Sequence, residues 1–295
     1  MTGTVKLVRT SGKTITRLAS FWIIAALTLQ AELSAQTTAR VDSFYAPSLG
    51  RIKKFSFILP PSYQNSSRYP VLYLLHGYGG GYLDWTSRTG IRQYVRALPL
   101  IVVMPDGENS WYVNAVNDPS ARFEEYIVSD LPAYVQSRFS VDTTRQAIAG
   151  LSMGGNGALV LAMRHPDRFR FAGSLSGAIT VPHWNADTTS QAVKYLSASL
   201  LKAYGRQPGA SWDRYDVFLL FDRLAIRPSP YVYFAMGSQD GYRDFIAAHH
   251  QLIDSLRVHN IPFEYHETPG AHSWKFWDRE IQPMVKKMME IFGQQ

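Results

Sequence analysis

The 295-residue chain contains no cysteine. Disulfides, thiolate nucleophiles and cysteine-ligated zinc are excluded together, and the redox compartment is left open. Internal repeats and low-complexity tracts are also missing, which excludes solenoids and other stacked arrays. Basic residues outnumber acidic ones by 30 to 23 for a formal charge of +7, but they form only short clusters such as Arg51, Lys53, Lys54 and Lys286, Lys287. A nucleic-acid footprint is a patch or a stripe, so no nucleic-acid partner is implied.

The apolar stretch Leu18 to Leu29 is shorter than the roughly 20 residues that span a bilayer. Lys6, Arg9, Lys13 and Arg17 precede it, and the small residues of Leu33-Ser34-Ala35 follow. This three-part layout predicts a secretory signal peptide over residues 1–35, cleaved after Ala35, and a secreted or periplasmic product without a stable membrane anchor. Its four basic residues and Glu32 carry +3 of the +7, so much of the basicity belongs to the export signal. With 46% apolar and 13% aromatic residues, the remaining 36–295 suffice for one α/β domain of about 250 residues.

Continuous apolar runs suit parallel strands covered on both faces. They occur at Pro70 to Leu75, Leu98 to Met104, Arg145 to Leu151, Phe171 to Leu175 and Tyr231 to Met236, with strand-like runs also at Arg51 to Leu59 and Pro262 to Thr268. Helix-like segments fall between them at Ile91 to Ala97, Phe123 to Phe139, Asn156 to Arg164 and Asp244 to His259. The alternation predicts a mostly parallel, doubly wound sheet. Two stretches break the rhythm: 106–122, which holds Trp111 and Tyr112, and an insertion over 181–230 that is rich in aromatics. Both would emerge at the carboxyl edge of the strands, where open α/β sheets bind ligands.

Gly150-Leu151-Ser152-Met153-Gly154 stands where an apolar run meets a helix-like stretch. A serine on a sharp strand-to-helix turn presents its hydroxyl outward, and glycines on either side allow the backbones to approach. Such a nucleophile needs a base, and the base needs a group to hold its tautomer. Asp240, just past the fifth apolar run, and His272, in the loop Gly270-Ala271-His272-Ser273-Trp274, follow in the required order, with Asp244 as the next candidate acid. Of the other histidines, His249, His250 and His259 read as helix-surface residues, His165 and His183 lack an obvious partner, and His76 reads as structural. An oxyanion needs backbone donors. The Met153 amide, at a helix start, is one; the loop His76-Gly77-Tyr78-Gly79-Gly80 offers the second from Tyr78, with Gly79 as rival.

His76-Gly77-Tyr78-Gly79-Gly80 with Trp85, Met104-Pro105-Asp106-Gly107 with Ser110-Trp111-Tyr112, Gly150 to Gly155, and Gly270 to Trp274 together resemble the esterase D-like esterases. That family includes tributyrin, feruloyl and acetyl-xylan esterases, S-formylglutathione hydrolases, enterochelin esterases and mycolyltransferases. From about residue 45 onward the resemblance implies an α/β-hydrolase fold, a Ser152, Asp240, His272 triad, and an oxyanion hole from the amides of Tyr78 and Met153. It implies no metal or organic cofactor.

The expected activity is that of a secreted serine carboxylesterase acting through an acyl-enzyme. Export and the aromatic set Trp111, Tyr112, Trp184, Trp274 and Trp277 point to acetyl or feruloyl esters of carbohydrates, because aromatic faces suit sugar and phenolic rings; the same rings also suit core packing. Acyl transfer or hydrolysis of a siderophore ester would use the same triad. S-formylglutathione, a cytosolic thiol ester, fits an exported chain poorly. A carbohydrate-binding protein on an inactive scaffold is the reading from another class, against which stands retention of all three candidate residues.

Overall fold

The computed structural model describes residues 38–180, 191–206, 209–223 and 229–293. The segment read as a signal peptide, His183 and Trp184 lie outside them. Eight strands form one sheet: β1 (Arg40–Ala46), β2 (Arg51–Ile58), β3 (Tyr69–Leu75), β4 (Ile101–Pro105), β5 (Val141–Leu151), β6 (Phe171–Leu175), β7 (Tyr231–Gly237) and β8 (Phe263–Thr268). Their spatial order is β1-β2-β4-β3-β5-β6-β7-β8. β1 pairs antiparallel with β2 and β2 with β4, and every other pairing is parallel.

The continuous apolar runs have a direct physical reason. All seven residues of β3 are buried, and alternate side chains enter opposite layers: Val71, Tyr73 and Leu75 one, Leu72 and Leu74 the other. Each fully buried aliphatic or aromatic side chain of this kind stabilises the fold by about 1.5–3 kcal/mol. The principal helices are α1 (Asp84–Arg88), α2 (Leu131–Arg138), α3 (Met153–Arg164), α4 (Gln191–Tyr204), α5 (Arg243–Val258) and α6 (Trp274–Gly293). Residues of α2, α3 and α5 fill one layer, while Trp85 of α1 and Ile281, Met284, Val285 and Met288 of α6 fill the other. Among the described residues, no helix is long and apolar enough to cross a membrane.

β4 and β5 flank β3 on opposite sides, so the chain reverses its winding there and opens a crevice at the carboxyl ends of β3 and β5. The glycine loop leaves β3 at that crevice, and Ser152 follows β5.

Several local expectations are corrected. Residues 40–46, not read as a strand from sequence, pair along their full length with β2. The segment Phe123 to Phe139 is not one regular helix: a π-helical turn over Tyr126–Asp130 interrupts it and buries Tyr126, Ile127 and Val128 in succession. His249 is fully buried rather than on the surface, because it lies one turn after Phe245 on the apolar face of α5. Its Nδ1 donates to the Phe245 carbonyl at 2.7 Å, and burial lowers its pKa to about 4, so it is neutral at pH 7.

His165 has a partner after all. It and Arg164 donate to Oε1 of the buried Glu124 at 2.7 and 2.8 Å, and the Tyr215 hydroxyl donates to Oε2 at 2.8 Å. Burial alone would raise the Glu124 pKa, but these hydrogen bonds and the Arg164 charge outweigh it and hold the carboxyl at about 2, against an ordinary 4.5. A depressed carboxylate pKa contributes stability above about pH 4.5 that is lost as pH falls towards 2, here on the order of 3 kcal/mol. Glu124→Gln is expected to start less stable and to lose correspondingly less over that interval. Urea unfolding of both proteins at stepped pH measures the difference, and parallel curves would contradict it.

Candidate active site

Ser152 occupies φ +51°, ψ −116°, a conformation that costs a non-glycine residue of order 1–3 kcal/mol and persists only where its surroundings impose it. They do so here. The Ser152 amide donates to the Leu175 carbonyl at 2.9 Å, and its own carbonyl accepts from the amides of Asn156 and Ala178 at 3.0 and 3.1 Å. Gly150 and Gly154 make the turn possible: a Cβ on Gly150 would lie 2.5 Å from the Gly154 carbonyl, and one on Gly154 would lie 2.5 Å from the His76 oxygen. The end of β3, the turn and the first residues of α3 are thus in backbone contact, and a methyl group at either glycine would force them apart.

His272, between β8 and α6, sets its Nε2 2.9 Å from the Ser152 Oγ and its Nδ1 2.8 Å from Oδ2 of Asp240. Asp240 is wholly buried, and its second oxygen, Oδ1, accepts from the Tyr242 amide at 2.9 Å. With the carboxylate at Nδ1, the imidazole carries its proton there and offers the Nε2 lone pair to the serine hydroxyl. The rings of Tyr242 and Trp277 meet the imidazole edge-on at 4.9 and 5.0 Å and fix its plane. Asp244 takes no part in this chain of hydrogen bonds; its Oδ2 accepts from the Thr180 hydroxyl at 2.9 Å.

The Gly79 amide donates to Oδ1 of Asn109 at 2.7 Å, so the rival oxyanion donor is already engaged. Among the described residues, the amides of Tyr78 and Met153 have no acceptor. Met153 also opens the twelve-residue helix α3, whose dipole favours negative charge at that end.

The loop bearing Tyr78 is fastened from below. His76 Nδ1 donates to the Gly77 carbonyl and Nε2 accepts from the Gly107 amide, both at 2.8 Å. Burial lowers the His76 pKa, in keeping with Nε2 as an acceptor. The Trp85 indole donates to the Leu75 carbonyl at 3.0 Å and the Tyr112 hydroxyl to the His76 carbonyl at 2.9 Å.

A cavity of about 320 Å³ opens over Ser152 and His272. Trp111, Trp274 and Trp277 line it, whereas Tyr112 does not. Tyr112 is wholly buried, and its ring fills the spaces beside Gly107 and Gly157, where added Cβ atoms would come within 2.2 and 2.7 Å of it. The expectation that Tyr112 touches substrate is therefore corrected: it buttresses the glycine loop. Sequence reasoning passed over several lining residues, among them Arg88 and, from the insertion and α5, Tyr195, Leu196 and Phe245. Tyr195 was open to suspicion, as an aromatic inside the 181–230 stretch. Among the described residues, no three histidine, aspartate or glutamate side chains are grouped to hold a metal ion.

Residues 46–288 match the model of the esterase family described as "Putative esterase". An acetyl esterase of Caldicellulosiruptor saccharolyticus is 27% identical over 232 residues, covering 77% of this chain and 86% of that protein. Esterase Rv1288 of Mycobacterium tuberculosis is 30% identical over 258 residues, covering 79% of this chain and 55% of the longer relative. Among solved structures, FphF, a fluorophosphonate-binding serine hydrolase of Staphylococcus aureus, superposes with a TM-score of 0.73 at 25% identity, covering 85% of this chain and 98% of that one. The strand order, the turn at Ser152 and these matches lead to one assignment: the chain belongs to this esterase family and is a carboxylic ester hydrolase with the α/β-hydrolase fold.

Proposed function

We propose that the chain is an exported serine esterase acting on acetyl or feruloyl esters of carbohydrates, with Ser152 as nucleophile, His272 as general base and Asp240 as its orienting acid. The observation that carries the reading is the unbroken hydrogen-bond chain from Asp240 through His272 to Ser152, at 2.8 and 2.9 Å, opening into a cavity beside two amides without acceptors. Ser152 Oγ attacks the ester carbonyl as His272 Nε2 takes its proton. The amides of Tyr78 and Met153 hold the resulting oxyanion. On collapse, the C–O bond to the alcohol breaks, and His272 returns the proton to the departing oxygen. Water then repeats the sequence to release the acid and regenerate the serine.

Trp274 and Tyr195 offer aromatic surface to a sugar or phenolic ring, and one relative is named an acetyl esterase. Export rests on the layout of residues 1–35.

A fluorophosphonate is expected to label Ser152 in the folded protein, identified by peptide mass spectrometry. On acetylated or feruloylated xylan, kcat/KM per ester is expected to exceed that on short p-nitrophenyl esters by about tenfold, one step of 1.4 kcal/mol in transition-state binding. A clear preference for the simple esters would remove the carbohydrate assignment, and a label on another residue would remove Ser152.

A further inference from the structure

Arg88 ends the short helix after the glycine loop and lines the same cavity as Ser152 and His272. Its guanidinium lies over the Trp274 indole, 5.6 Å from the ring centroid. Only a loose partner holds it: Nε stands 3.7 Å from Oδ1 of Asp84, beyond hydrogen-bond range. Asp84 is itself committed, since its Oδ2 accepts from the Gly81 amide at 3.2 Å. Among the described residues, the terminal nitrogens of Arg88 have no acceptor, and the side chain is 56% exposed. A planar fork of donors, held over an indole at the wall of a reaction cavity, matches a carboxylate in shape and charge.

Position says which half of the substrate it meets. Trp274 packs edge-on against Trp277 at 5.3 Å, and Trp277 packs edge-on against the His272 imidazole at 5.0 Å. This chain of ring contacts connects Arg88 to the imidazole that returns the proton to the departing alcohol oxygen. The geometry points to Arg88 as a specificity residue that binds a carboxylate on the alcohol part of the ester, so the preferred substrates are esters of acidic alcohols, such as acylated sugars in a uronate-bearing polymer. This rests on the assignment of Ser152 and His272 and narrows its substrate class.

The test compares 4-acetoxybenzoate with 4-acetoxybenzamide, which share the acetyl group and the aryl frame. Taking the ratio of their kcat/KM values in each protein, and then comparing proteins, cancels the intrinsic difference between the leaving groups. Arg88→Gln is expected to lower the benzoate-to-benzamide ratio by about threefold to tenfold, the range for one partly screened charge-assisted contact. Arg88→Lys, which keeps the charge and loses the fork, recovers part of the loss, and added salt lowers the ratio in the parent protein. An unchanged ratio in Arg88→Gln overturns the proposal. So does a loss confined to a carboxylate on the acyl part, read with phenyl hydrogen succinate against phenyl butyrate. Full activity of Ser152→Ala on both acetoxy esters would overturn the underlying site assignment, an outcome distinct from an unchanged ratio.

Discussion

Ser152→Ala is expected to lower kcat/KM on any ester by about 10⁵- to 10⁶-fold, the loss seen when a serine nucleophile is removed from a hydrogen-bonded triad. The effect is this large because the other residues act only through the serine oxygen. On the proposed mechanism, with Oγ gone His272 Nε2 has no hydroxyl to deprotonate, and the rate expected to remain is what the amides of Tyr78 and Met153 extract from bound substrate and water. The fold is expected to survive. Alanine and serine pay the same backbone cost at φ +51°, and the supporting bonds to Leu175, Asn156 and Ala178 are all made by the backbone. The measurement is a pair: thermal melts agreeing within a few degrees, and turnover at the detection limit with no fluorophosphonate adduct. Turnover within tenfold of the parent would require a different nucleophile.

What could be read before any coordinates were known divides by the distance over which each feature is decided. The parallel strands were legible because burial on both faces demands an unbroken apolar run, and Tyr69–Leu75 supplies one. Ser152, Asp240 and His272 were each legible as loop residues at strand ends, and the parallel order of β5, β6, β7 and β8 brings those ends to one edge. His249 was misread although the signal was local, since it stands four residues after Phe245 on the core face of α5. Tyr112 was a different case. Its burial depends on Gly107 and Gly157 leaving room for the ring, and Gly157 belongs to a helix that the local pattern around Tyr112 does not reveal. Arg88 was illegible for the same reason, because only its stacking on the distant Trp274 marks it out from other exposed arginines. The weighing of Tyr78 against Gly79 also turns on a long-range contact: the Gly79 amide is engaged by the Asn109 side chain, thirty residues away.

Asp240→Asn, almost unchanged in shape, is expected to cost about 10⁴-fold in kcat. The two carboxylate oxygens have fixed and different partners: Oδ1 accepts from the Tyr242 amide at 2.9 Å, and Oδ2 faces His272 Nδ1 at 2.8 Å. An asparagine has one acceptor and one donor end. Its oxygen must stay on the Tyr242 amide, since the reverse orientation would set two donors against each other in a fully buried site. The NH₂ then points at Nδ1, which can accept it only when unprotonated. The imidazole proton moves to Nε2, where it faces the Ser152 oxygen as a donor in place of the lone pair that catalysis needs. Substrate contacts are untouched, because Asp240 does not line the cavity, so KM is expected to change far less than kcat. Burst-phase and steady-state kinetics on one activated ester separate the two. If Asp240→Asn retains more than a tenth of the parental kcat, another group orients His272 in solution, with Asp244 the next candidate.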